Sequence, residues 1–333
     1  MNLPLLVRIL LWPLSVLYGG YVRMRARLYR QGWLKQRRLD AKVISVGNLT
    51  VGGTGKTPMV LWLAEKFLAK GKRVAILSRG YRGSGGTSDE IALMKHRLKG
   101  GVAFGVGKDR FAEGHRTEQQ QPVAVFLLDD GFQHLPLARD LDIVMLDGSQ
   151  KLKDQWLLPS GVLREPISAC RRADILVVTR KTERPDFEPG DAHKDCIFYA
   201  ATRLLGFRRH GGHRDVQYLR EIGRGPFFAF CGIGNPQAFF DDLSRWHVPV
   251  AGESIFRDHH HYTAADLRRL EKAAQRAGAT AFVTTEKDAE NLVEGSAPAI
   301  PILVAAIDFV LTDESVFLAA LGRKLESPPG APV

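Results

Sequence analysis

A glycine-rich stretch that ends in a lysine and a threonine is the first pattern in this sequence that could do chemistry. It reads GNLTVGGTGKT from Gly47 to Thr57, and it stands between an apolar stretch and a segment with helical spacing of apolar residues. Glycines let a loop turn its backbone N–H groups onto phosphate oxygens, and the N-terminus of a following helix adds a favourable dipole. In such a loop the lysine reaches the β- and γ-phosphates of a nucleotide, and the next hydroxyl ligates Mg²⁺. Lys56 and Thr57 are therefore the candidates for these roles.

The loop departs from the strict pattern G-x-x-x-x-G-K-[ST] at one position. Thr50 stands where that pattern has its first glycine, although Gly52 and Gly53 supply flexibility close by. A glycine-rich turn without a ligand is the alternative, but an apolar strand before the loop and a helix after it favour nucleotide binding. The predicted nucleotide-binding residues are Thr50, Val51, Gly52, Gly53, Thr54, Gly55, Lys56 and Thr57.

Two adjacent carboxylates follow the apolar stretch 123–128. They are Asp129 and Asp130, the first residues of the sequence DDGFQH. Ligands of open α/β sheets bind at the carboxyl ends of the strands, and enzymes with a phosphate loop use an acid there to hold Mg²⁺. A D-G turn with a solvated aspartate is the alternative, which the upstream phosphate loop makes less favourable.

A histidine cluster begins at Asp258 and continues through His259, His260 and His261. Histidines serve as proton acceptors, metal ligands or surface residues, and short histidine-rich tracts can bind transition metals. A polar turn capped by Asp258 is a third reading. The residues alone leave these alternatives open.

The elements that must position these side chains are apolar strands that alternate with helices. Predicted strands are 42–47, 73–78, 123–128, 142–147 and 174–179, followed by a second series, 227–232, 280–284 and 301–306. Predicted helices are 56–70, 236–246 and 263–277. Apolar strands separated by helices indicate parallel sheets covered on both faces. The polar stretch 181–195, which contains two prolines, is predicted to be a linker.

The N-terminal segment combines an apolar run with basic residues. Its uncharged run, 9–22, has fourteen residues, whereas a spanning helix needs roughly 20, and Pro13 with the pair Gly19-Gly20 weakens a straight span. Eight basic residues and one acidic residue in 1–40 give this segment +7 of the total formal charge of +11. An interfacial helix with a basic flank on anionic lipid phosphates fits both observations. A core helix packed on the domain is the alternative, and the positive flank predicts that the following chain stays cytoplasmic.

The predicted fold class is therefore α/β, with a P-loop NTPase-like parallel-sheet domain, a second, smaller α/β domain and an N-terminal interfacial helix. The predicted boundaries are 1–40 for the membrane-associated basic and apolar segment, 41–185 for the P-loop catalytic domain and 186–333 for the smaller C-terminal domain.

Composition excludes several classes of protein. With 45% apolar and 25% charged residues the chain is neither disordered nor fibrous. Three widely separated cysteines, Cys170, Cys196 and Cys231, exclude a disulfide scaffold and a cysteine zinc site. Because most of the excess positive charge lies at one end, no nucleic-acid partner is predicted, and no protein partner is predicted either.

Together the motifs resemble the tetraacyldisaccharide 4'-kinase family, the lipid A 4'-kinases. The resemblance rests on the phosphate loop, LSRGY at 77–81, LDDGFQH at 128–134, LLPSGVLREP at 157–166, FRDHH at 256–260 and TTEKD at 284–288, which occur in the family's order. Thr50 agrees with it, because the family usually has serine or threonine at that position.

The resemblance implies a kinase that transfers the γ-phosphate of ATP, with Mg²⁺, to the 4'-hydroxyl of a tetraacyl disaccharide 1-phosphate. It implies an acylated lipid substrate, a role in lipid A synthesis and a peripheral or monotopic place on the cytoplasmic face of the inner membrane. A membrane-bound P-loop ATPase or GTPase switch is the competing interpretation, and the missing N-K-x-D motif counts against a GTPase.

The resemblance also assigns roles position by position. It implies a metal site built from Thr57, Asp129, Asp130 and Glu165, and an arginine, Arg110, that faces the phosphates. The implied base is Asp89, assisted by His259, although Ser88 stands where the family has glycine and Glu90 is the neighbouring alternative. The TTEKD motif is assigned no chemistry.

Overall fold

The computed structural model describes residues 4–80, 88–180, 196–212, 215–223, 225–292 and 298–326 of the 333-residue chain. The predicted linker 181–195 lies outside the described residues. Internal contacts divide the chain into two compact units: the first comprises 1–80, 97–201 and 310–333, and the second comprises 81–96 and 202–309. Neither unit is one continuous segment, whereas the boundaries 41–185 and 186–333 cut the chain into continuous ranges.

A parallel sheet forms the centre of the first unit. Its strands are β1 (Lys42–Asn48), β2 (Val74–Ser78), β3 (Val102–Val106), β4 (Val125–Asp129), β5 (Leu141–Asp147), β6 (Ile175–Thr179) and the first residues of β7 (Ile197–Arg209). Their order is β3-β2-β4-β1-β5-β6-β7, and the pairs are parallel. The helices are α1 (Leu5–Arg30), α2 (Lys56–Ala69), the last residues of α3 (Asp89–Leu98), α4 (Arg110–Gln120) and, at the other end of the chain, α8 (Glu314–Glu326).

The strands of this unit are apolar on both faces, as expected for a parallel sheet that helices cover on both sides. One buried cluster includes Phe126 and Leu137, and another includes Phe132 and Leu176. The last helix, α8, packs in the first unit, whereas most of β11, the strand that precedes it in the sequence, belongs to the second unit. The Phe317 ring lies edge-on to the rings of Trp62 and Phe198, with centroids 5.6 Å and 5.1 Å away.

The second unit contains a parallel sheet of four strands, ordered β11-β10-β8-β9. They are β8 (Phe227–Cys231), β9 (Val250–Ile255), β10 (Ala281–Thr285) and β11 (Ile302–Leu311), the last of which ends in the first unit. Its helices are the start of α3, α5 (Pro236–Arg245), α6 (Ala264–Arg276) and the single turn α7 (Glu286–Ala289). Aromatic rings dominate one face of its core, where Phe230 packs edge-on against Tyr262 and Phe282.

The α/β class is confirmed, and the predicted strands and helices all occur, with ends within two residues except for β11, which runs five residues further than predicted. Within the described ranges, three strands (β3, β7 and β9) and four helices (α3, α4, α7 and α8) were not predicted. Strands β3 and β9 stand at the ends of their strand orders, where a strand is paired on one edge only. The sequence of β9, VAGESI, is exposed or half-buried throughout and therefore lacks the apolar signal of a central strand.

Helix α1 is longer than the uncharged run and continues through Pro13 and through Gly19 and Gly20, so the expected weakening at these residues does not break the helix. Its 26 residues are long and apolar enough to cross a membrane by length and composition. Most of the helix is exposed, which contradicts the alternative of a buried core helix. Its exposed large apolar residues include Leu5, Leu6, Ile9, Leu10, Trp12, Leu14, Val16, Leu17, Tyr21 and Met24.

Candidate active site

The phosphate loop connects β1 to α2, as the sequence predicts. Asn48, the last residue of β1, is buried, and its side-chain amide donates to Thr54 Oγ1 at 3.0 Å. Gly55 precedes α2 with φ of +89°, a left-handed conformation that a side chain would strain. Because Gly55 carries no capping side chain, the first-turn N–H groups of α2 stay available to an anion.

Lys56, the first residue of α2, faces the predicted acidic pair. Its Nζ lies 3.5 Å from Asp130 Oδ1, and Arg164 Nη1 donates to both carboxylate oxygens of Asp130 at 2.9 and 2.7 Å. Burial alone would raise the pKa of Asp130, but the charges of Lys56 and Arg164 outweigh it and lower the pKa. Asp130 also has φ of +50°, which is rare outside glycine and is maintained where the surroundings fix it.

Asp129 ends β4 in register with Val46 of the neighbouring β1, so it lies at the same end of the sheet as the phosphate loop. Its side chain is buried, and Ser78 Oγ at the end of β2 is 3.5 Å from Asp129 Oδ2. The ends of three neighbouring strands therefore converge here, as the rule for open α/β sheets requires.

Arg110 begins α4 and is buried. Burial lowers its pKa, as does the nearby Arg79, while the charges of Asp130 and Asp129 act in the opposite direction. Its Nη1 donates to the Lys108 carbonyl at 3.2 Å, and its buried Nε has no hydrogen-bond partner among the residues that the structure describes. A buried guanidinium with an unused donor beside two carboxylates is suited to an anionic ligand held between them.

Glu165 is buried and held by an arginine. Arg172 donates from Nη1 to Oε2 at 2.6 Å and from Nη2 to Oε1 at 3.1 Å, and Gln133 Nε2 donates to Oε1 at 3.1 Å. The same amide of Gln133 donates to the Asn48 carbonyl at 2.9 Å. Glu165 is thus linked to the start of the phosphate loop through Gln133.

The donor set fits Mg²⁺ and nucleotide phosphates. Thr57, Asp129 and Asp130 offer hydroxyl and carboxylate oxygens, which Mg²⁺ prefers, and Mg²⁺ commonly takes only one or two carboxylates together with phosphates and waters. The part of the chain that the structure describes holds no group of three or more His, Cys, Asp or Glu side chains arranged as a metal cage. Glu165 carries a further carboxylate, whose hydrogen-bond partners are Arg172 and Gln133.

The predicted base and its assistant meet in the second unit. Asp89, the first residue of α3, is buried, and His259 Nδ1 lies 2.9 Å from both of its carboxylate oxygens. Asn291 Nδ2 donates to Asp89 Oδ2 at 3.2 Å, and Lys287 Nζ is 3.7 Å from the same oxygen. Glu90 makes contact with Lys287 at 3.6 Å. The geometry therefore pairs Asp89, and not the neighbouring Glu90, with His259.

The two partners shift each other's pKa in opposite directions. For Asp89, burial alone would raise the pKa, but the hydrogen bond with His259 and the charge of Lys287 outweigh it and lower the pKa. For His259, the hydrogen bond with Asp89 raises the pKa, against burial and the charge of Lys287. The pair is therefore stabilised as carboxylate and imidazolium relative to isolated side chains.

The loop that carries His259 is held by hydrogen bonds to the backbone of Gly232 and to the side chain of Asp288. The His259 backbone N–H donates to the Gly232 carbonyl at 3.1 Å, and its φ of +60° is again rare for a residue with a side chain. Asp288 is fully buried and accepts from the Gly232 N–H at 2.7 Å and the Tyr262 hydroxyl at 2.8 Å. Burial raises the pKa of Asp288 despite these hydrogen bonds. Gly232 and Asp288 thus connect His259 with Tyr262 further along the same loop.

The other histidines do not join this pair. His260 Nε2 lies 3.1 Å from Asp266 Oδ2, and Asp266 forms the capping box of α6 with Thr263. His260 is therefore part of a helix cap, whereas the structural alternative considered from the sequence was a polar turn capped by Asp258. Among the described residues the cluster forms no metal-binding group.

Helix α1 is hydrogen-bonded to the segment 157–166 of the first unit. Ser15 Oγ donates to the Leu157 carbonyl at 2.9 Å and accepts from the Ser160 N–H at 3.0 Å. The Tyr18 hydroxyl donates to the Arg164 carbonyl at 2.8 Å. The helix therefore contacts the residue whose side chain holds Asp130.

The contacts of α1 continue along its length. Arg8 Nε donates to the Ser160 carbonyl at 3.2 Å, and Arg25 Nη1 donates to the Gln133 carbonyl at 3.1 Å. At 1.5 Å per residue these two arginines are about 25 Å apart along the helix. Gly19 lies so close to Leu157 that an added Cβ would come within 2.7 Å of its Cδ1. The helix is thus docked lengthwise on the unit by one narrow face.

Three residues of the site, Arg164, Lys287 and Asn291, were assigned no role from the sequence. Arg164 lies inside the LLPSGVLREP motif and Lys287 inside TTEKD, so both were in view without a role. Asn291 belongs to no motif. Its hydrogen bond with Asp89 joins residues 202 positions apart, which only the folded chain brings together.

Comparisons with known proteins identify relatives that match nearly the whole chain. The family model described as Tetraacyldisaccharide-1-P 4'-kinase matches residues 7–326. The tetraacyldisaccharide 4'-kinase of Pelobacter propionicus is 38% identical over 95% of this chain and 92% of its own, and that of Geobacter metallireducens is 38% identical over 96% and 99%. The crystal structure described as the "apo" form of LpxK from Aquifex aeolicus in complex with ATP is similar with a TM-score of 0.74 at 32% identity, over 96% of this chain and 99% of that one.

Proposed function

Because the chain belongs to the tetraacyldisaccharide-1-P 4'-kinase family, we propose that it transfers the γ-phosphate of ATP to the 4'-hydroxyl of a tetraacyldisaccharide 1-phosphate in lipid A biosynthesis. The observation that carries the proposal is the phosphate loop with Lys56 at the start of α2, which faces the carboxylates at the end of β4. The family match extends over nearly the whole chain, and the ATP complex of the Aquifex aeolicus relative supports ATP as the donor.

The phosphate loop is the proposed cradle for the triphosphate of ATP. Its backbone N–H groups and the first turn of α2 would bind phosphate oxygens, and the Lys56 ammonium would exchange Asp130 for the β- and γ-phosphates. The proposed nucleotide-binding residues are Thr50, Val51, Gly52, Gly53, Thr54, Gly55, Lys56 and Thr57.

We assign the metal site to oxygens at the same end of the sheet. Thr57, Asp129 and Asp130 would hold Mg²⁺ together with the phosphates, and Glu165 is a further acid near the metal. When bound, Mg²⁺ neutralises negative charge on the phosphate oxygens that increases towards the transition state. The buried Arg110 guanidinium would add a second positive charge at these oxygens through its unused donor.

Acceptor activation is assigned to Asp89 and His259. A neutral His259 that donates its Nδ1–H to Asp89 carries its free lone pair on Nε2. The 4'-hydroxyl would lose its proton to the pair as its oxygen forms a bond to the γ-phosphorus, and the bond from that phosphorus to the bridging oxygen of ADP would break. In this assignment His259 takes the proton, and Asp89, which the family resemblance implies as the base, orients the ring and stabilises the imidazolium that forms.

The exposed apolar surface of α1 suits an enzyme whose substrate is an acylated lipid. The helix is bound lengthwise to the first unit by one face, so we infer that it lies on the cytoplasmic surface of the inner membrane rather than across it. Its outer face exposes leucines, and Leu6, Leu10 and Leu17 are 81%, 79% and 70% exposed.

We keep the predicted functional division into a membrane-associated segment at 1–40, a catalytic domain at 41–185 and a C-terminal domain at 186–333. We propose neither a nucleic acid nor a protein as a partner.

The proposal is tested by incubating the detergent-purified chain with ATP labelled in its γ-phosphate and the tetraacyldisaccharide 1-phosphate. We expect label in the lipid with Mg²⁺ present, loss of transfer with excess EDTA, and recovery when Mg²⁺ is restored. Label that enters inorganic phosphate and never the lipid would identify a switch ATPase instead.

A further inference from the structure

A lysine ammonium lies among three carboxylates beside the Asp89–His259 pair. Lys287 Nζ is 3.2 Å from Asp258 Oδ1, 3.6 Å from Glu90 Oε1 and 3.7 Å from Asp89 Oδ2. Its side chain is 18% exposed, so the charges interact in an environment that water screens less than it screens a surface pair. The contacts are therefore stronger than those of an ordinary surface lysine.

The imidazole of His259 is placed between two of these carboxylates. Its Nδ1 is 2.9 Å from Asp89, and its Nε2 is 3.7 Å from Asp258 Oδ2. The Lys287 ammonium lies close to the carboxylates of both acids, 3.7 Å from Asp89 Oδ2 and 3.2 Å from Asp258 Oδ1. Without that ammonium, Asp89, Glu90 and Asp258 would repel one another around a single imidazole.

The position of Lys287 is fixed by its neighbours in sequence. It lies in the single turn α7, directly before Asp288, whose buried carboxylate accepts from Gly232 and Tyr262. Asn291, one turn later, donates to Asp89 and also to the Lys287 carbonyl at 3.5 Å. The ammonium is thus held relative to the same loop and the same carboxylate that it contacts.

We propose that Lys287 is a positioning residue for phosphoryl transfer, which holds Asp89 and Asp258 around His259 and keeps the proton-accepting form of the pair populated near neutral pH. The inference rests on the proposed function, because it concerns the base assigned there. It gives a role to the TTEKD motif, to which the sequence assigned no chemistry.

The direction of the effect follows from the charges that face the pair. These are Asp89 and Glu90 from α3, Asp258 and His259 from the loop, and Lys287 from α7. The positive charge of Lys287 lowers the pKa of both Asp89 and His259, whereas Asp258 raises the pKa of His259. Removing Lys287 therefore raises both pKa values, and a more alkaline solution is needed to free the pair from its proton.

The test is the pH profile of single-turnover transfer to the lipid at saturating Mg-ATP. For Lys287→Met we expect about a 10- to 100-fold lower rate at pH 7, as for partial loss of general-base catalysis. We also expect its acid limb about one pH unit higher, as for loss of a neighbouring charge. Lys287→Arg should recover most of the rate, and KM for ATP should stay within about twofold in both variants.

The matched control is Lys66→Met, which removes a lysine that pairs with Glu314 at 2.5 Å in the first unit. It should match the unsubstituted chain at every pH. A second variant, Asp258→Asn, changes a half-exposed side chain and should move the acid limb in the opposite direction, to lower pH. This variant keeps the inference testable even where Lys287→Met folds poorly.

Each outcome has one meaning. An unchanged rate in Lys287→Met, or a rate lowered equally at all pH values with the limb in place, would overturn the positioning role. Full transfer by Asp89→Asn and by His259→Gln would overturn the proposed base itself. Loss of transfer in those two variants beside normal transfer in Lys287→Met would remove only the present inference.

Discussion

At the scale of the residue, two adjacent carboxylates at the start of α3 differ in what they touch. The Asp89 side chain is 4% exposed and contacts His259 and Asn291, whereas the Glu90 side chain is 35% exposed and contacts Lys287. Asp89→Asn should therefore lower kcat for lipid phosphorylation by roughly 10²-fold or more, because the proton-accepting pair loses its carboxylate. ATP affinity should change little, because Asp89 is not among the phosphate-binding residues.

Glu90→Gln is the matched control, since it removes the neighbouring charge and leaves the pair intact. Its kcat should stay within about threefold of the unsubstituted chain, a change of less than 1 kcal/mol. The measurement is steady-state kinetics with both substrates varied. A large loss in Glu90→Gln beside normal kcat in Asp89→Asn would mean that Glu90, and not Asp89, supplies the carboxylate of the pair.

The same pair predicts a pH window for stability. Asp89 has a lowered pKa, so its contribution is present above its unfolded value and is lost as the pH falls through the folded value. His259 has a raised pKa, so its contribution is present below its unfolded value and is lost as the pH rises through the folded value. The pair stabilises the chain most between about pH 4 and pH 6.5, the ordinary values of the two groups.

Thermal unfolding of the unsubstituted chain and of His259→Gln over pH 4–9 measures this window. The difference between their midpoints should be largest at the acidic end and should shrink above neutral pH. A difference that grows with pH would contradict the shifts on which the pair is built.

The sequence predicted the residues of this site unevenly, for a physical reason. Lys56 and Thr57 follow from a local pattern, since loop, lysine and hydroxyl are adjacent in the chain. Asp89 and His259 are 170 positions apart, and no periodicity or spacing links them, so only the family resemblance brought them together. Lys287 was visible without a role, because its ion pairs with Asp89 and Asp258 exist only in the folded unit.

At the scale of the element, α1 is attached through a few buried polar contacts. Ser15→Ala would leave the Ser160 N–H and the Leu157 carbonyl without this partner, at a cost of about 1–3 kcal/mol for buried groups. We expect a lower thermal midpoint and faster proteolysis within α1. The control is Gly20→Ala, because a Cβ at Gly20 meets nothing within 4 Å and alanine favours a helix.

Gly20→Ala should therefore match or exceed the stability of the unsubstituted chain. Equal midpoints and equal proteolysis in both variants would show that α1 is not held by the Ser15 contacts. The comparison uses the full chain in the same detergent throughout, since the outer face of α1 is apolar.

The strands and helices could be predicted from the sequence where their buried positions carry apolar residues. Central strands such as β1, β4 and β5 are buried at nearly every position, and their sequences are correspondingly apolar. The edge strand β9 is exposed or half-buried throughout, so its sequence lacks the apolar pattern of a buried strand. Helix α4 begins at the buried Arg110 and is polar over most of its length, which hides its helical period.

At the scale of the whole molecule, the charge and the apolar face of α1 predict membrane binding. Residues 1–40 carry most of the net charge, and Leu6, Leu10 and Leu17 are among the most exposed side chains of the helix. The triple substitution of these leucines by glutamine should release the chain from phosphatidylglycerol vesicles in a sedimentation assay, because it removes the apolar anchor.

The thermal midpoint of the triple variant should stay close to that of the unsubstituted chain, because these side chains point away from the docked face. The matched control is substitution of the exposed Val316 by glutamine, which removes an apolar side chain from α8. Undiminished sedimentation of the triple variant would place the membrane contact elsewhere on the molecule.

The central claim is that the γ-phosphate of ATP goes to the 4'-hydroxyl of the lipid disaccharide. The most direct measurement is ³¹P NMR of the lipid product formed with Mg-ATP, for the natural tetraacyldisaccharide 1-phosphate and for its 4'-deoxy analogue. We predict a second phosphomonoester at the 4' position of the natural lipid, none on the analogue, and none with Lys56→Met. Equal ATP consumption with both lipids and no new phosphomonoester would contradict the account and identify the chain as an ATPase without a lipid acceptor.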